Sequence, residues 1–242
     1  MKKVYFISDV HLGAHPPRLE QAKIDKLVSF LSHIQKDAQR LYIVGDLYDH
    51  WFEYRKAIPK VNLKVLFTIQ QLAEAGVEVI YFTGNHDQWL GDYLEGELDV
   101  TICREPLCAE HNHLKLYIAH GDGLIKRDMR VRILNRIFRN RVNMLFYRWL
   151  HPDLGLPFMK YIAAKSRQKS ENAFDDEYFA FAKSKLEEGF DGVILGHTHK
   201  PLFREINSKH YINLGDWCYY FTYLVLTGTA FELKTWSGDS TD

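Results

Sequence analysis

A chain of 242 residues, 46% of them hydrophobic, is long enough to form one large domain with a well-buried core, so disorder and fibrous architectures are excluded. Lysine plus arginine and aspartate plus glutamate both total 31. The formal charge is therefore zero, which excludes a chain that is basic throughout, as a protein that wraps nucleic acid would be. The three cysteines, Cys103, Cys108 and Cys218, contain no CxxC pair, so we expect no disulfide framework, no cysteine zinc site and a reducing compartment.

Apolar runs alternate with amphipathic stretches from the start of the chain. The first run, residues 4–7, is too short for a signal peptide or a membrane span, and we expect any membrane contact to be peripheral. A helical pattern follows over about 19–35. The next run, 40–46, precedes a helical pattern over about 61–75, and a third run covers 77–87. This alternation predicts parallel strands joined by crossover helices.

The pattern continues in the second half of the chain and changes near its end. Residues 114–122 and 191–199 form two further apolar runs, and each is closed by polar residues. The spacing therefore predicts an α/β domain with a mostly β tail. The runs of this tail, which predict antiparallel strands, lie around Leu202, Tyr211, Tyr223 and Phe231.

A basic segment interrupts this rhythm within about residues 124–170. Residues 126–148 contain eight lysines or arginines against one acid, and apolar residues recur among them every three or four positions, as on one face of a helix. Pro152 and Pro157 then break the chain before a second helical stretch that starts at Phe158. We expect a helical hairpin inserted into the domain; a solvated basic helix packed on the core is the alternative.

Polar side chains typical of metal sites follow each long apolar run. Because ligands of open α/β sheets bind beyond the carboxyl ends of the strands, five distant segments would converge on one crevice. A single motif of this kind more often reflects a surface or core histidine, but five that each close a strand are hard to ascribe to chance. The motifs are Asp9-Val-His11, Gly45-Asp46, Gly84-Asn85-His86-Asp87, His120-Gly-Asp122 and Gly196-His197-Thr-His199.

The ligand types in these motifs narrow the class of ion. Imidazole nitrogen mixed with carboxylate and amide oxygen, without thiolate, suits manganese, iron(II), zinc or cobalt. Seven candidate ligands are too many for one tetrahedral ion. Two ions about 3.5 to 4 Å apart that share a bridging carboxylate would use them all, and such a pair polarises phosphoryl oxygens and activates water. The residues therefore predict a metal-dependent hydrolase acting on a phosphoric anhydride or phosphoester.

The order of the motifs resembles that of the calcineurin-like metallophosphoesterase family, whose pattern is DxH, GDxxD, GNHD, a histidine after the next strand, and GHxH. The resemblance implies a four-layer αββα sandwich of two mixed sheets in a single domain over residues 1–242. It also implies two divalent ions, manganese being the first choice, with Asp46 bridging them. One ion would be held by Asp9, His11, Asp46 and His199, and the other by Asp46, Asn85, His120 and His197.

His86 is the histidine of these motifs that we do not expect to bind an ion, because beside Asn85 its side chain can point across the substrate. In the family this histidine is proposed to protonate the leaving oxygen or to stabilise the transition state, and the last aspartate of GDxxD, here Asp49, orients it. A carboxylate that accepts a proton from one ring nitrogen raises the pKa of an imidazole. We therefore expect a raised pKa at His86; a purely structural pair is the alternative.

A second resemblance, to the UDP-2,3-diacylglucosamine pyrophosphatases of lipid A synthesis, rests on the insertion after His120, on the NLGDW segment 213–217, and on residues 156–170. Those enzymes cover the metal site with a helical lid that takes acyl chains. The resemblance implies a lid whose basic edge lies against an anionic membrane, on the cytoplasmic face of the bacterial inner membrane. The substrate contacts that it implies are Asn85, His86, Arg167 and Ser170.

The chain departs from that subfamily at two positions, because its better-known members carry arginine where this chain has His86 and glutamate where it has Asp49. The leading hypothesis is cleavage of UDP-2,3-diacylglucosamine into UMP and 2,3-diacylglucosamine 1-phosphate. The alternative is a paralogous phosphodiesterase or phosphatase acting on another nucleotide-linked or lipid phosphate. A nuclease is disfavoured because the basic residues share their helix with an apolar stripe, so we expect no nucleic-acid partner. An inactive metal-stabilised scaffold is disfavoured because no ligand position is missing.

Overall fold

The computed structural model describes residues 2–60, 62–125, 129–138, 140–167 and 175–238, which form two mixed β-sheets packed face to face. The strands are β1 (Lys3–Ile7), β2 (Ala38–Val44), β3 (Glu78–Phe82), β4 (Val100–Cys103), β5 (Leu107–His111), β6 (Leu114–Ala119), β7 (Gly192–Leu195), β8 (Pro201–Ile206), β9 (Lys209–Leu214), β10 (Thr222–Thr227) and β11 (Ala230–Thr235). The helices are α1 (Pro17–Ile34), α2 (Leu63–Glu74), α3 (Tyr93–Leu98), α4 (Met129–Phe138), α5 (Arg141–Trp149), α6 (Pro152–Arg167) and α7 (Asp175–Glu187).

The first sheet has the strand order β11-β10-β1-β2-β3-β4. Strands β1 to β4 are parallel to one another, whereas β10 is antiparallel to both β1 and β11. In the sequence, α1 connects β1 to β2 and α2 connects β2 to β3, which confirms the predicted crossover helices. The carboxyl ends of β1, β2 and β3 therefore share one edge of this sheet.

The second sheet has the order β5-β6-β7-β9-β8, and its three central strands, β6, β7 and β9, are parallel. The tail is therefore not wholly antiparallel as the sequence predicts, because β9 pairs antiparallel with β8 but parallel with β7. The chain passes β7, turns back along the edge as β8, and turns again into the gap, which gives β9 the direction of β7. The spacing of apolar residues along the chain does not indicate that β9 lies between β7 and β8.

Two apolar layers lie on opposite faces of the first sheet because successive side chains of a strand point to opposite sides. Phe6 and Tyr42 stack with their ring centroids 4.9 Å apart and face the second sheet, where they share a core with Ile194. Their neighbours Ile7 and Ile43 face the other way and pack against α1, α2 and α3. Burial on both faces explains why these strands are apolar runs rather than alternating ones.

Helix α7 covers the outer face of the second sheet. Tyr178, Ala182 and Leu186 of this helix pack against Tyr117 and Val193 of β6 and β7. Helices thus flank both sheets, and the predicted four-layer αββα sandwich is confirmed. The arrangement leaves the carboxyl ends of the parallel strands of both sheets free to meet at one end of the molecule.

Helices α4, α5 and α6 occupy the stretch where the sequence predicts a helical hairpin, but their bounds differ from the expected ones. The basic stretch is divided into two helices, since the side chain of Asn140 caps α5 by accepting a hydrogen bond from the Val142 amide at 2.8 Å. The expected start of the second helix after Pro157 is wrong. Helix α6 begins at Pro152, a favoured first-turn position, and continues through Pro157 despite the loss of one backbone hydrogen bond.

Candidate metal centre

Five loops meet where the two sheets present the carboxyl ends of their parallel strands. The loops after β1, β2 and β3 come from the first sheet, and those after β6 and β7 come from the second. Atoms from the two sheets approach one another closely: His11 Nε2, after β1, lies 3.3 Å from His199 Nε2, after β7. All seven side chains that the sequence identifies as candidate ligands lie within these five loops.

Asp9, His11 and His199 form a first group whose candidate ligand atoms all lie within 4.8 Å of one another. Asp9 Oδ1 is 3.5 Å from His199 Nε2 and 3.8 Å from His11 Nε2. The two imidazole rings stack nearly parallel, with centroids 4.9 Å apart and an interplanar angle of 11°. Two ring nitrogens and a carboxylate oxygen thus face one small volume.

Asp46 and His120 belong to a second group that also includes Asp9. His120 Nε2 lies 3.4 Å from both Asp46 Oδ2 and Asn85 Oδ1, and the His197 ring centroid is 5.2 Å from that of His120. The same Asp46 oxygen is 3.7 Å from His11 Nε2 of the first group. One oxygen of Asp46 therefore faces a histidine of each group, which is the position that a bridging carboxylate requires.

The donor set fits divalent metal ions. Within the described residues, Asp9 Oδ1 is buried yet accepts no hydrogen bond, so it has a lone pair available to a cation. Several of these side chains also stand on backbone in the left-handed region, where a residue other than glycine costs about 1 kcal/mol or more. Strain of this kind clusters at sites of function. The left-handed residues are Asp9, His11, Asp46, His197 and His199, with φ of +54°, +48°, +52°, +69° and +61°.

Two motif glycines allow the ligand loops to approach one another. A Cβ atom added to Gly84 would collide with Asp46 Oδ1, and one added to Gly196 would collide with Ser8 Oγ and approach Asp9 Oδ2 at 2.7 Å. Neither glycine has a positive φ, so the requirement for glycine at these two positions comes from close packing rather than from backbone conformation. The glycines of GNHD and GHxH therefore leave the space that the carboxylates of Asp46 and Asp9 occupy.

The electrostatics of the centre favour an ionised Asp46. Burial opposes its ionisation, but His120 and the other imidazoles around it outweigh burial and hold the pKa of Asp46 well below its usual range. Burial likewise opposes protonation of His120, yet attraction to Asp46 raises the pKa of His120 well above its ordinary value. The buried carboxylate thus attracts positive charge, which a divalent ion held by these residues would supply.

The contact between His86 and Asp49 differs from the expected one. The shortest bond runs from His86 Nδ1 to the backbone carbonyl of Asp49 at 3.0 Å, whereas the Asp49 carboxylate is 3.6 Å away. Because a carbonyl only accepts, Nδ1 carries the proton and Nε2 keeps the lone pair of the ring. One ring nitrogen of His86 lies within 4.8 Å of candidate ligand atoms of His11 and Asp46. Burial lowers the pKa of His86 to about 3 despite the attraction of Asp46, so the expected rise is wrong and the ring is neutral.

Asp87, which the sequence indicates only as the last residue of GNHD, ties two ligand loops together. Its carboxylate accepts hydrogen bonds from the Gly84 amide at 2.8 Å, from the Tyr48 amide at 3.3 Å and from the Tyr81 hydroxyl. Burial raises the pKa of Asp87 to about 6. The loop carrying Asn85 is thereby fixed to the loop that follows β2, which carries Asp46.

An aromatic cluster joins the ligand loops to the insert, by which we mean α4, α5 and α6. Phe52 follows the GDxxD motif and Trp89 follows GNHD, and both pack against Tyr147 of α5 and Met159 of α6. Trp89 Nε1 also donates a hydrogen bond of 2.5 Å to the carbonyl of Phe138, the last residue of α4. Sequence patterns assign no role to Trp89, although its position three residues after His86 places it at the edge of the centre.

The outer surface of the insert is strongly apolar. Phe146 and Trp149 are 72% and 85% exposed. These two residues and the exposed apolar residues of the same three helices form what we call the apolar face of the insert. The same helices carry the exposed Arg132, Arg136 and Arg148. Within the described ranges, every helix falls short of the length or the apolar character that crossing a bilayer requires. The other residues of this face are Ile133, Ile137, Val142, Leu145, Leu154, Phe158 and Tyr161.

Two predicted substrate contacts, the side chain of Arg167 and the residue Ser170, lie outside the part of the chain that the structure describes. Arg167 is the last residue of α6, and Ser170 lies outside the described residues. Their contact with substrate stays a prediction. Asn85 and His86, the other two, both lie in the loop after β3 beside the buried carboxylates.

Comparisons with known proteins agree with this fold. The sequence model of the calcineurin-like phosphoesterase family matches residues 2–201. A protein named UDP-2,3-diacylglucosamine hydrolase from Porphyromonas gingivalis is 33% identical over 258 aligned residues, which cover 96% of this chain and 97% of that protein. A protein of the same name from Actinobacillus succinogenes is 32% identical and covers 90% and 92%. Among solved structures, Yfce, a phosphoesterase from E. coli, has the same fold, with a TM-score of 0.50, 17% identity and coverage of 97% and 93%.

Replacement of Asp46 by alanine tests the position of this residue between the two ligand groups. We expect Asp46→Ala to retain neither ion after loading with manganese, because Asp46 Oδ2 lies 3.4 Å from His120 Nε2 of the second group and 3.7 Å from His11 Nε2 of the first. Elemental analysis of the metal per chain measures this, and Asp25→Ala, a change of an exposed aspartate on α1, is the control that keeps both ions. Two ions per chain in the Asp46 variant would show that Asp46 does not bridge.

Proposed function

The chain belongs to the calcineurin-like phosphoesterase family, and from this we propose that it hydrolyses UDP-2,3-diacylglucosamine as a step of lipid A biosynthesis. Water adds at one phosphorus of the diphosphate, the bridging P–O bond breaks, and the products are UMP and 2,3-diacylglucosamine 1-phosphate. Relatives that match over at least 90% of this chain, at 33% and 32% identity, carry the name of that substrate. A hydrolase acting on this diphosphate needs both a charged centre and a place for two acyl chains.

The observation that carries the proposal is the direct packing of the apolar insert on the loops of the charged centre. Phe52 lies three residues after Asp49, and Trp89 lies three residues after His86, and both contact the insert. A molecule that binds with its phosphates at the centre therefore has the apolar insert beside it. An acylated sugar nucleotide combines these two chemical characters in that order.

We assign two divalent ions to the centre, with manganese as the first choice and iron(II), zinc or cobalt as alternatives. Asp9, His11, Asp46 and His199 would hold one, and Asp46, Asn85, His120 and His197 the other. When bound, the ions supply Lewis-acid activation of the phosphoryl group and of water. The side chains themselves exclude bulk water, since Asp9, His11 and Asp46 are almost wholly buried.

His86 is assigned to the leaving group. Its Nδ1–H is held by the Asp49 carbonyl, which aims Nε2 into the centre beside Asp46. The buried ring is neutral in the free protein, and a diphosphate placed beside it favours the imidazolium, because opposite charges attract strongly where water is excluded. Nε2–H can then donate its proton to the departing oxygen. Asp49 positions the ring through its backbone.

The insert is assigned to the acyl chains and to the membrane as a lid over residues 124–170. Its apolar face offers the surface that hydrocarbon chains require, and the exposed Arg132, Arg136 and Arg148 offer charges to anionic headgroups. We place the protein on the cytoplasmic face of the bacterial inner membrane as a peripheral protein. Arg167 and Ser170, at and just beyond the end of α6, are assigned to polar parts of the substrate.

One observation favours a second candidate function. His86 and Asp49 match the general phosphoesterase pair, whereas the better-known members of the lipid A subfamily carry arginine and glutamate there. The alternative is a phosphodiesterase or phosphatase that acts on another nucleotide-linked or lipid phosphate at the same centre. The substrate comparison that follows distinguishes the two functions.

Acylated and deacylated forms of the sugar nucleotide test the substrate. We expect kcat/KM for UDP-2,3-diacylglucosamine to exceed that for the deacylated analogue by about a hundredfold or more, because each buried methylene contributes about 0.8 kcal/mol. Release of UMP measures the reaction. Phe146→Ala with Trp149→Ala should reduce the preference and leave hydrolysis of a small chromogenic diester unchanged, and Phe67→Ala, an exposed aromatic residue on α2, should alter neither. Equal rates with the two sugar nucleotides would contradict the acyl-binding role.

A glutamine in place of His86 tests the proton donor. We expect His86→Gln to keep both ions but to slow turnover of the sugar nucleotide by roughly 10²- to 10⁴-fold, the usual effect of a lost general acid. A p-nitrophenyl ester, whose leaving group departs without a proton, should be slowed much less. Similar losses with the two substrates would assign His86 to structure or binding rather than to proton transfer.

Charge reversal on α4 tests the membrane contact. Arg132→Glu with Arg136→Glu should weaken binding to vesicles that contain phosphatidylglycerol by about tenfold or more, because each basic residue near an anionic surface contributes about 1 kcal/mol. Sedimentation with vesicles measures binding, and hydrolysis of the chromogenic diester should be unaltered. Lys115→Glu with Lys183→Glu, a reversal of two exposed lysines outside the insert, is the matched control. Equal binding by the two double variants would remove the membrane role of α4.

A further inference from the structure

Asp216 occupies a fixed position directly behind one of the candidate ligands. It follows β9, the strand that runs parallel to β7, and it is 1% exposed. Its Oδ1 accepts hydrogen bonds from three successive backbone amides, those of Cys218, Tyr219 and Tyr220, at 3.1, 2.8 and 3.0 Å. A carboxylate held by three amides cannot rotate, so the direction of its second oxygen is set by the loop.

That second oxygen faces the ring of His199. Asp216 Oδ2 lies 3.4 Å from His199 Nδ1, and a carboxylate in this position accepts a hydrogen bond from Nδ1–H. The lone pair of the neutral ring is then at Nε2, which lies 3.3 Å from His11 Nε2 and 3.5 Å from Asp9 Oδ1. Asp216 thus determines which nitrogen of His199 is offered to an ion.

The ring of His199 is held differently from the rings of His11 and His120. Its side chain is 31% exposed, whereas that of His11 is fully buried and held by packing. The ring of His120 is held in another way, because its Nδ1 bonds to the carbonyl of Val44 at 2.9 Å, a backbone group that no side-chain substitution removes. A substitution of Asp216 therefore removes a contact of His199 and leaves the Val44 contact of His120 in place.

The same loop also supports Asp9. The amide of Trp217 donates a hydrogen bond of 3.1 Å to the Asp9 carbonyl, and its indole is wholly buried against Phe30 of α1, with ring centroids 5.0 Å apart. Two adjacent residues, Asp216 and Trp217, thus contact two of the three members of the first ligand group. The loop after β9 is a sixth component of the centre, although it contributes no ligand itself.

We propose that Asp216 is a positioning residue that fixes the tautomer and direction of His199, and so sets the affinity of one of the two metal sites without altering the other. The inference deepens the proposed function and rests on its two-ion centre. The chemistry requires a carboxylate, because the same side chain must accept both from backbone amides and from His199 Nδ1–H. An asparagine at this position still accepts from the amides through its oxygen. Its NH2 group would then face Nδ1, which favours the tautomer with the proton on Nε2 and blocks the ligand atom.

Isothermal titration calorimetry, in which manganese is added to the metal-free chain, tests this proposal without any substrate. Asp216→Asn should weaken one of the two binding events by about 10- to 100-fold, the usual effect of a lost outer partner of a ligating histidine, and leave the other unchanged. Nitrogen-15 NMR of labelled histidines should show His199 with its proton on Nδ1 in the unaltered chain and on Nε2 in the variant. Thermal unfolding of the metal-free proteins should give similar Tm values, which separates positioning from folding.

Two comparisons make the outcome decisive. Asp191→Asn is the matched control, because this aspartate also accepts a backbone amide, that of Lys115 at 2.8 Å, but lies before β7 at the opposite end of the sheet. His199→Ala should weaken the same binding event as Asp216→Asn. Unchanged binding of both ions by Asp216→Asn would overturn the inference and leave the two-ion centre intact. A single binding event in the unaltered chain would overturn the inference together with the two-ion basis of the proposed function.

Discussion

The buried charge of Asp46 is the constraint on which the centre depends. Removing an isolated carboxylate from water costs several kcal/mol, and a protein retains one in its interior only where opposite charge or hydrogen bonds compensate. Here the His86 amide bonds to one oxygen, while the imidazoles of His11 and His120 face the other. Those imidazoles come from different sheets, so the charge can be compensated only after both sheets have assembled. The left-handed backbone of Asp46 itself is a further cost that cations at this position would offset.

The loops that carry the polar centre also pack against the apolar insert. The loops that carry Asp46 and Asn85 run on through Phe52 and Trp89 into the aromatic cluster beneath α5 and α6. Trp89 donates a hydrogen bond to the last residue of α4, so a displacement of the insert would also move the residues that follow His86. The charged centre and the apolar insert are thus placed side by side by a few residues of connecting chain.

Family membership and local geometry answer different questions about His86. The GNHD motif places a histidine beside the ligands, and the family relationship assigns the chemistry of phosphoester hydrolysis to the chain. The structure adds that the ring is oriented by a backbone carbonyl and is neutral because it is buried. A backbone partner leaves the Asp49 carboxylate 3.6 Å from His86 Nδ1 and also 3.6 Å from His11 Nδ1, between the proposed acid and a candidate ligand. The GDxxD aspartate therefore contacts both halves of the chemistry.

The sequence by itself determined the order of β1, α1, β2, α2 and β3, the residue types of the candidate ligands, and the five loops that carry them, but it did not indicate α3, β4 or β5. The order and the loops follow from the sequence because apolar runs closed by polar residues are local patterns, and because parallel strands bring their carboxyl ends to one edge. Only the tertiary structure decided that β9 lies between β7 and β8, since strand insertion leaves no local signal. It also decided the continuation of α6 through Pro157, the neutral state of His86 and the contact of Asp216 with His199. These features depend on burial and on distances between residues remote in sequence, which spacing along the chain does not encode.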